Sequence, residues 1–285
     1  MILVTGATGN VGAAVVAELV AKGEAVRAFV RDEARARERL GDDVELFVGD
    51  FDDVASIDRA VRGARSVFLS SADHPNKPKH ESAVIDVARA AGVRRVVKTS
   101  TVGAEEGSPL PPFDWHGRIE AHLRASGIPS VVLRSYFYMT NLLASAEPVR
   151  SMGKLFAPLE GAKIAMIDPR DTGAVAAAAL TDARYEGETL ELSGPESVTY
   201  DQLAEELSAA AGNSIEFVNI PDEAAQQTFE QMGAPGWLLA HFNHLFPLLR
   251  SGALAQTTDT VRSVTGREPR SFASWARDHS AAFRR

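Results

Sequence analysis

The 285-residue chain contains no cysteine. Disulfides, thiolate zinc sites and a cysteine nucleophile are thereby excluded, and thiol chemistry gives no information on the compartment. No apolar run approaches the roughly 18 residues that a membrane-spanning helix needs. The first strand signal starts at Ile2, which leaves no room for a signal peptide, so a cytoplasmic protein is expected. Basic charge is in deficit: 30 Lys and Arg against 38 Asp and Glu give a net charge of -8, which opposes attraction to phosphate backbones and argues against nucleic acid as a direct partner. There is no internal repeat or low-complexity linker. Pro109-Leu110-Pro111-Pro112, the single proline cluster, reads as a loop beside a cleft. With 45% apolar and 24% charged residues, what remains is an ordinary globular chain, long enough for one large domain with a smaller lobe.

The most informative segment comes first. Ile2-Leu3-Val4 runs into Gly6-Ala7-Thr8-Gly9-Asn10-Val11-Gly12 and then Ala13-Ala14-Val15-Val16, in the order strand, glycine turn, helix start. Gly6 permits a tight turn, the middle of the loop lets backbone approach a pyrophosphate, and Gly12 lets the helix pack closely on its strand. A diphosphate would then meet the free N–H groups and the positive dipole end of the helix. A glycine-rich turn with no ligand is the alternative, and the strand before and helix after favour the dinucleotide reading.

Short β-branched runs at 26–30, 44–48, 66–69, 95–99 and 130–133 alternate with helical patterns at about 11–22, 33–40, 54–62, 78–91 and 114–126. This alternation predicts a six-stranded parallel sheet wrapped on both faces by helices, an α/β Rossmann doubly wound fold. Further strands are expected at 163–167, 189–192 and 215–220, with helices at 172–180, 200–211, 223–232, 235–249 and 271–283. An NAD(P)-binding domain over 1–194, with its core in 1–150, and a smaller, mostly helical substrate lobe over 195–285 follow from this pattern.

Arg31 lies at the end of the second strand, about twenty residues past the loop, where such folds place the group that meets the adenosine ribose. Its planar cation suits a 2'-phosphate, so NADP(H) is favoured over NAD(H), the alternative being a solvated surface arginine. Asp32 reads as the N-cap of the next helix. Asp50 and Phe51 fit an adenine-contacting position or a plain turn. Ser70 and Ser71, at the end of the fourth strand, are expected under the pyrophosphate and the nicotinamide ribose.

The loop GATGNVG, the segments RRVVKTSTVGA (94–104), HGRIEAHLRASGI (116–128) and RSYFYMTNLL (134–143), and the C-terminal TGREPRSFASWARDH together resemble the NmrA-like branch of atypical short-chain dehydrogenases, in order and over nearly the whole chain. The branch includes NAD(P)H-dependent quinone reductases, isoflavone-reductase-like enzymes and a regulator that binds the nucleotide without reducing anything. Typical short-chain dehydrogenases carry Tyr-x-x-x-Lys on the helix after the fifth strand. Here that stretch reads Trp115-His116-Gly117-Arg118-Ile119-Glu120, and Lys98 is the only lysine between Ser82 and Leu133. Carbonyl reduction by the tyrosine mechanism is not expected.

His116 and Glu120, four apart on one helical face, can pair and orient the imidazole as a proton donor, or form a plain surface ion pair. Trp115, Ile119 and His122 fall on another stripe and read as core. Lys98 occupies a strand expected to be buried on both faces, and snorkelling toward the cleft would explain it. The resemblance places Thr99, Ser100 and Thr101 where related enzymes carry a substrate-facing hydroxyl, Thr101 matching best, against simple hydrogen bonding to backbone. Tyr136, Phe137, Tyr138 and Met139 are expected to wall the nicotinamide, with Asn141 as a polar anchor. His241 and His244 are three apart, but no carboxylate pattern accompanies them, so no metal is expected. The expected function is NADPH-dependent reduction of a flat, small-molecule acceptor such as a quinone or enone, with His116, Lys98, Thr101 and Tyr136 as catalytic candidates. A nucleotide sensor acting through a protein partner is the rival, an isomerase or dehydratase with structural nucleotide a third reading, and a homodimer the assembly to look for.

Overall fold

Alternating apolar runs and helical periods become alternating strands and helices in a computed structural model that describes residues Met1–Arg285. β1 (Ile2–Val4) leads through the glycine loop into α1 (Asn10–Ala21), followed by β2 (Val26–Val30), α2 (Glu33–Leu40), β3 (Glu45–Val48), α3 (Val54–Val61) and β4 (Ser66–Leu69). Then come α4 (Lys77–Ala90), β5 (Arg95–Thr101), α5 (Pro111–Ser126) and β6 (Ser130–Ser135). The central strands are apolar on both faces because helices cover both: Ile2, Val4, Val67, Phe68 and Leu69 are fully buried. Helix starts are set locally, the carboxylates of Asp32 and Asp53 accepting the N–H groups of Arg35 and Ala55 to cap α2 and α3.

The second half runs β7 (Phe137–Tyr138), a 3-10 segment (Met139–Ser145), α6 (Ala146–Met152), β8 (Lys154–Ala157), β9 (Ile164–Ile167), α7 (Pro169–Thr181), β10 (Thr189–Leu192) and β11 (Ser197–Val198). It ends with α8 (Tyr200–Ala211), β12 (Glu216–Asn219), α9 (Asp222–Gln231), α10 (Gly236–Arg250), α11 (Thr260–Thr265) and α12 (Phe272–Asp278).

The main sheet has the order β10-β6-β5-β4-β1-β2-β3 and its strands run parallel. It therefore has seven strands where six were expected. The seventh, β10, joins the open edge of β6, with Gly187 N–H donating to Ser130 O at 2.8 Å and Val132 N–H to Glu188 O at 3.0 Å. Its own residues announce a strand but not the edge that will receive it. A second correction concerns the proline cluster: Pro111 and Pro112 open α5 rather than forming a loop, because an N–H in the first helical turn has no intrahelical acceptor and a proline there loses no helix hydrogen bond.

Two compact units emerge, one of residues 1–108, 112–135 and 169–191, the other of 109–111, 136–168 and 192–285. The sequence pattern had grouped 136–168 with the nucleotide-binding part. These residues join the second unit because their strands find partners there: β7 pairs with β9, β9 with β11, and β8 with β12. The alanine-rich α7 belongs to the first unit, where it packs on α1 through small side chains.

Candidate active site

Chain order in the main sheet reverses between β1 and β4, and in open α/β sheets ligands bind beyond the carboxyl ends of the strands at such a point. The two strand ends are tied together there. Ser70 N–H donates to Thr5 Oγ1 at 2.9 Å, and Thr5 Oγ1 lies 2.8 Å from Ser70 O. Gly6, with φ +59°, would bring a Cβ to 2.8 Å from Ser70 O, and a Cβ on Gly12 would stand 2.1 Å from Gly6 O. Neither position admits a side chain. Gly9 differs: it is exposed, its φ is -75°, and a Cβ there would meet only Gly6 O at 3.2 Å. No side chain caps α1, so its first N–H groups, next to exposed Gly9 and Asn10 and half-buried Thr8 and Val11, are available to an anion. A cradle that excludes Cβ atoms and ends on an uncapped helix N-terminus fits a dinucleotide pyrophosphate.

Arg31 stands exposed just past β2, while Asp32 is engaged as the α2 cap at 3.0 Å from Arg35 N. Asp50 forms a turn of its own, its Oδ1 accepting Asp52 N–H at 2.8 Å. Phe51 packs edge-on against Phe29 at 5.3 Å and stacks on His80 at 5.7 Å.

Beneath these strand ends lies a group of charges that the surrounding hydrophobic residues seal in. Lys98 and Glu81 are 0% exposed and Lys77 3%. Lys98 Nζ meets Glu81 Oε2 at 2.9 Å in an ion pair, hydrogen-bonds His116 Nδ1 at 2.9 Å, and donates to the carbonyl of Thr99. Glu81 Oε1 accepts from Ser71 Oγ at 2.8 Å and lies 3.3 Å from Lys77 Nζ. Lys77 in turn donates to Ser71 O at 2.7 Å and reaches the half-exposed Asp73 at 3.2 Å. Two ammonium groups thus face two carboxylates. Burial would raise the Glu81 carboxyl, but Lys98 and Lys77 outweigh it and hold it below its ordinary value. Burial, with the repulsion of Lys98 and then Lys77, drives the His116 imidazole well below its ordinary value, so the ring is neutral.

Two expectations are corrected here. Lys98 does not snorkel: β5 continues to Thr101, which leaves the residue in mid-strand, and its charge is met internally by Glu81. His116 and Glu120 do not pair either. Glu120 is taken by the guanidinium of Arg134, at 2.7 Å and 3.2 Å, and by Ser100 Oγ, a forked partner that a neutral imidazole cannot match. Both residues are buried, which removes the surface ion pair as an account of either. The hydroxyls of Thr99 and Thr101 bond the carbonyls of Leu69 and Val102, each at 3.3 Å. Trp115 and Ile119 are core as expected, whereas His122 is half-exposed and pairs with Asp86 at 2.8 Å.

Tyr136, Phe137 and Tyr138 belong to the second unit, Tyr136 buried and its N–H donating to Leu192 O at 2.9 Å. His241 and His244 lie on α10, where Phe242 stacks between Phe229 and Phe246. Sequence reasoning missed Lys77 and Glu81. A signal was present: on α4 the positions 77, 81, 84, 85 and 88 form one stripe whose last three members, Val84, Ile85 and Ala88, are core, so its two charges had to be buried as well.

Comparison with known proteins extends over the whole chain. The NAD(P)H azoreductase of Xenophilus azovorans is 36% identical over 283 residues, 99% of each chain. A (4-alkanoyl-5-oxo-2,5-dihydrofuran-3-yl)methyl phosphate reductase of Streptomyces griseus is 38% identical over 287 residues, again 99% of each. Among solved structures, the NADPH-dependent quinone oxidoreductase of Escherichia coli complexed with NADPH superposes with a TM-score of 0.86 at 29% identity, covering 97% of this chain and 98% of that one. The NmrA-like family model matches residues 1–263, and with reductases of this identity along its full length the chain belongs to the NmrA-like family.

Proposed function

We propose that this chain is an NADPH-dependent reductase of a flat, conjugated small-molecule acceptor such as a quinone or enone. The observation that carries the cofactor half is the loop at the β1–β4 reversal, where Gly6 and Gly12 admit no Cβ and Gly9 is exposed at an uncapped helix start. In this reading the N–H groups of Asn10 and Val11, with Thr8, take the pyrophosphate beside Gly9, whose own N–H closes the turn on Gly6 O at 2.9 Å, and Arg31 takes the 2'-phosphate. Asp50 and Phe51 lie toward the adenine, Ser70, Ser71, Thr99 and Ser100 beneath the nicotinamide half. Tyr136 and Phe137 are the aromatic candidates for contact with the acceptor.

The reductase half is supported by the relatives. An azo compound, a 5-oxo-2,5-dihydrofuran and a quinone, the substrates in their names, share a planar, electron-poor double bond. When bound, reduced nicotinamide supplies a hydride. Transfer to such acceptors depends mainly on stacking and alignment, and the charge left on oxygen or nitrogen needs only a hydrogen-bond or proton donor. The missing tyrosine and lysine pair is then dispensable. His116, buried but with Nε2 neither bonded within the protein nor sealed from the surface, fills the donor role, with Thr101 and Tyr136 as the other candidates. The test is direct: protein is mixed with NADPH or NADH and a panel of quinones, an unsaturated lactone and an azo dye, and absorbance of the reduced cofactor is followed. Acceptor-dependent oxidation, faster with NADPH, is the expected result. Tight nucleotide binding without oxidation by any acceptor would overturn the reductase reading and leave a nucleotide sensor.

A further inference from the structure

We propose that Lys98 is a positioning residue that sets the tautomer of His116 and replaces the proton that His116 gives up. The inference rests on the reductase reading above for its chemical step, but its structural half stands on one contact, Lys98 Nζ to His116 Nδ1 at 2.9 Å inside the buried cluster.

An ammonium group has no lone pair. Nδ1 must therefore accept, and the single proton of the neutral ring must sit on Nε2. A protonated ring would aim a second cationic N–H at the ammonium of the fully buried Lys98. The charges around Lys98 keep this arrangement in place: Glu81 and Lys77 face it from α4, Glu120 and His116 from α5. Lys77 and Lys98 against Glu81 and Asp73 already balance, so the cluster is electroneutral only with the imidazole uncharged. His116 retains 8% exposure, and its Nε2 is not among the sealed, unpartnered polar atoms. The tautomer fixed from behind thus presents an N–H in front.

The same heavy atoms also serve a second protonation state. When the acceptor has received a hydride from reduced nicotinamide, which is left as the oxidised cation, its oxygen or nitrogen carries the new electron pair and takes the Nε2 proton. In concert, one Lys98 proton passes to Nδ1. Lys98 is left as a neutral amine that accepts from Nδ1–H, the ring stays neutral with its tautomer reversed, and no heavy atom moves. The acceptor has then gained one hydride and one proton. A solvent proton returned to Nε2 sends the Nδ1 proton back to Lys98. Burial, aided by Lys77 and opposed by Glu81, lowers the Lys98 ammonium below its ordinary 10.5, which favours this release. The donor is full below that lowered value and is lost as pH rises through it, so turnover falls on the alkaline side and not through the ordinary imidazole range.

The experiment uses the full chain with 15N-labelled histidine, the His116 ring signals being those absent from His116→Gln. Long-range 15N–1H spectra of wild type are expected to give a neutral ring with Nε2 protonated from pH 8 down to 5. Lys98→Met alone would strand Glu81 as an unpaired buried charge, so it is combined with Glu81→Gln. In this double variant we expect a mixture of tautomers and a fall in acceptor turnover of about 10²-fold with unchanged NADPH affinity. A wild-type ring protonated on Nδ1, or titrating near the ordinary value, overturns the proposal even if the variant does not fold. So does a double variant with wild-type tautomer and turnover. If no acceptor is reduced at all, the function reading fails separately, and the wild-type spectrum still decides the role of Lys98 in positioning.

Discussion

The glycine loop and the charged cluster lie in the same unit of the molecule, yet one is made of backbone and the other of side chains. Residues 6–12 act through what they lack, since missing Cβ atoms let backbone approach Ser70 and leave helix N–H groups bare. The cluster acts through what α4, β5 and α5 bring together, two ammonium groups, carboxylates and an imidazole that burial forces into one charge-balanced set. At Gly6 and Gly12 the backbone site has no room for an added atom. The side-chain site tolerates change of shape more readily than change of charge, because removing one partner of a buried pair typically costs about 3–5 kcal/mol.

The largest difference between the two regions is expected at Gly9. Its backbone angles, φ -75° and ψ 172°, are open to any residue, and an added Cβ needs only a small shift from Gly6 O at 3.2 Å. Gly9→Val should therefore fold with a nearly unchanged melting temperature and lose NADPH binding altogether in calorimetry. Gly12→Val, whose Cβ would overlap Gly6 O at 2.1 Å, should instead destroy the turn itself. Undiminished affinity in the folded Gly9 variant would reduce the loop to an ordinary turn.

Next comes His116, where the cluster meets chemistry. A positioned proton donor contributes about 10²- to 10⁴-fold in rate, far more than any helix-surface contact. His116→Gln keeps an acceptor for Lys98 and has no proton of comparable acidity to give. Turnover of an accepted quinone should fall within that range while NADPH affinity holds. Full turnover would move proton donation to Thr101, Tyr136 or solvent.

The same contrast explains what the sequence disclosed. The loop is seven consecutive residues whose spacing is its geometry, so its place between β1 and α1 was legible, as were the strands 26–30 and 66–69 and the Asp32 cap. The cluster is assembled from positions 77, 81, 98 and 116, and which carboxylate meets which cation depends on the packing of three elements. Hence Lys98 was singled out for being a lysine on a buried strand and His116 for standing four residues from Glu120 on the helix that lacks the tyrosine, but their pairing with each other was not foreseen and Glu120 was given the wrong partner. Residues 136–168 were misgrouped for a related reason: strands of two to four residues carry no periodicity that names their partners.

A smaller effect tests the rim of the loop. Arg31 is exposed, so replacing it removes charge-assisted hydrogen bonds to a 2'-phosphate and little else. Arg31→Ala is expected to weaken NADPH binding by about 1.5–3 kcal/mol and leave NADH binding unchanged, as titration calorimetry with both nucleotides would read. Equal losses for the two would remove Arg31 from the phosphate site.

The smallest predicted effect separates the regions by pH alone, since residues 6–12 contain no titrating side chain and the cluster does. His116 is held well below its ordinary 6.5 by burial and by Lys98 and Lys77, so under mild acid the unfolded chain takes up a proton there that the folded one refuses. A group whose folded value is depressed in this way contributes stability above the unfolded value and loses it as pH falls. Glu81, depressed from 4.5, adds its own loss mainly below about pH 5, so the imidazole dominates the interval from 6.5 to 5. At about 1.4 kcal/mol per pH unit, wild type should lose at most about 2 kcal/mol across the interval through His116. Denaturant unfolding at several pH values checks this: His116→Gln should lose less stability than wild type by up to that amount, histidines such as His80 and His122 being common to both chains. Parallel curves for the two proteins would mean that the folded ring is free to charge, and that Lys98 does not hold it neutral.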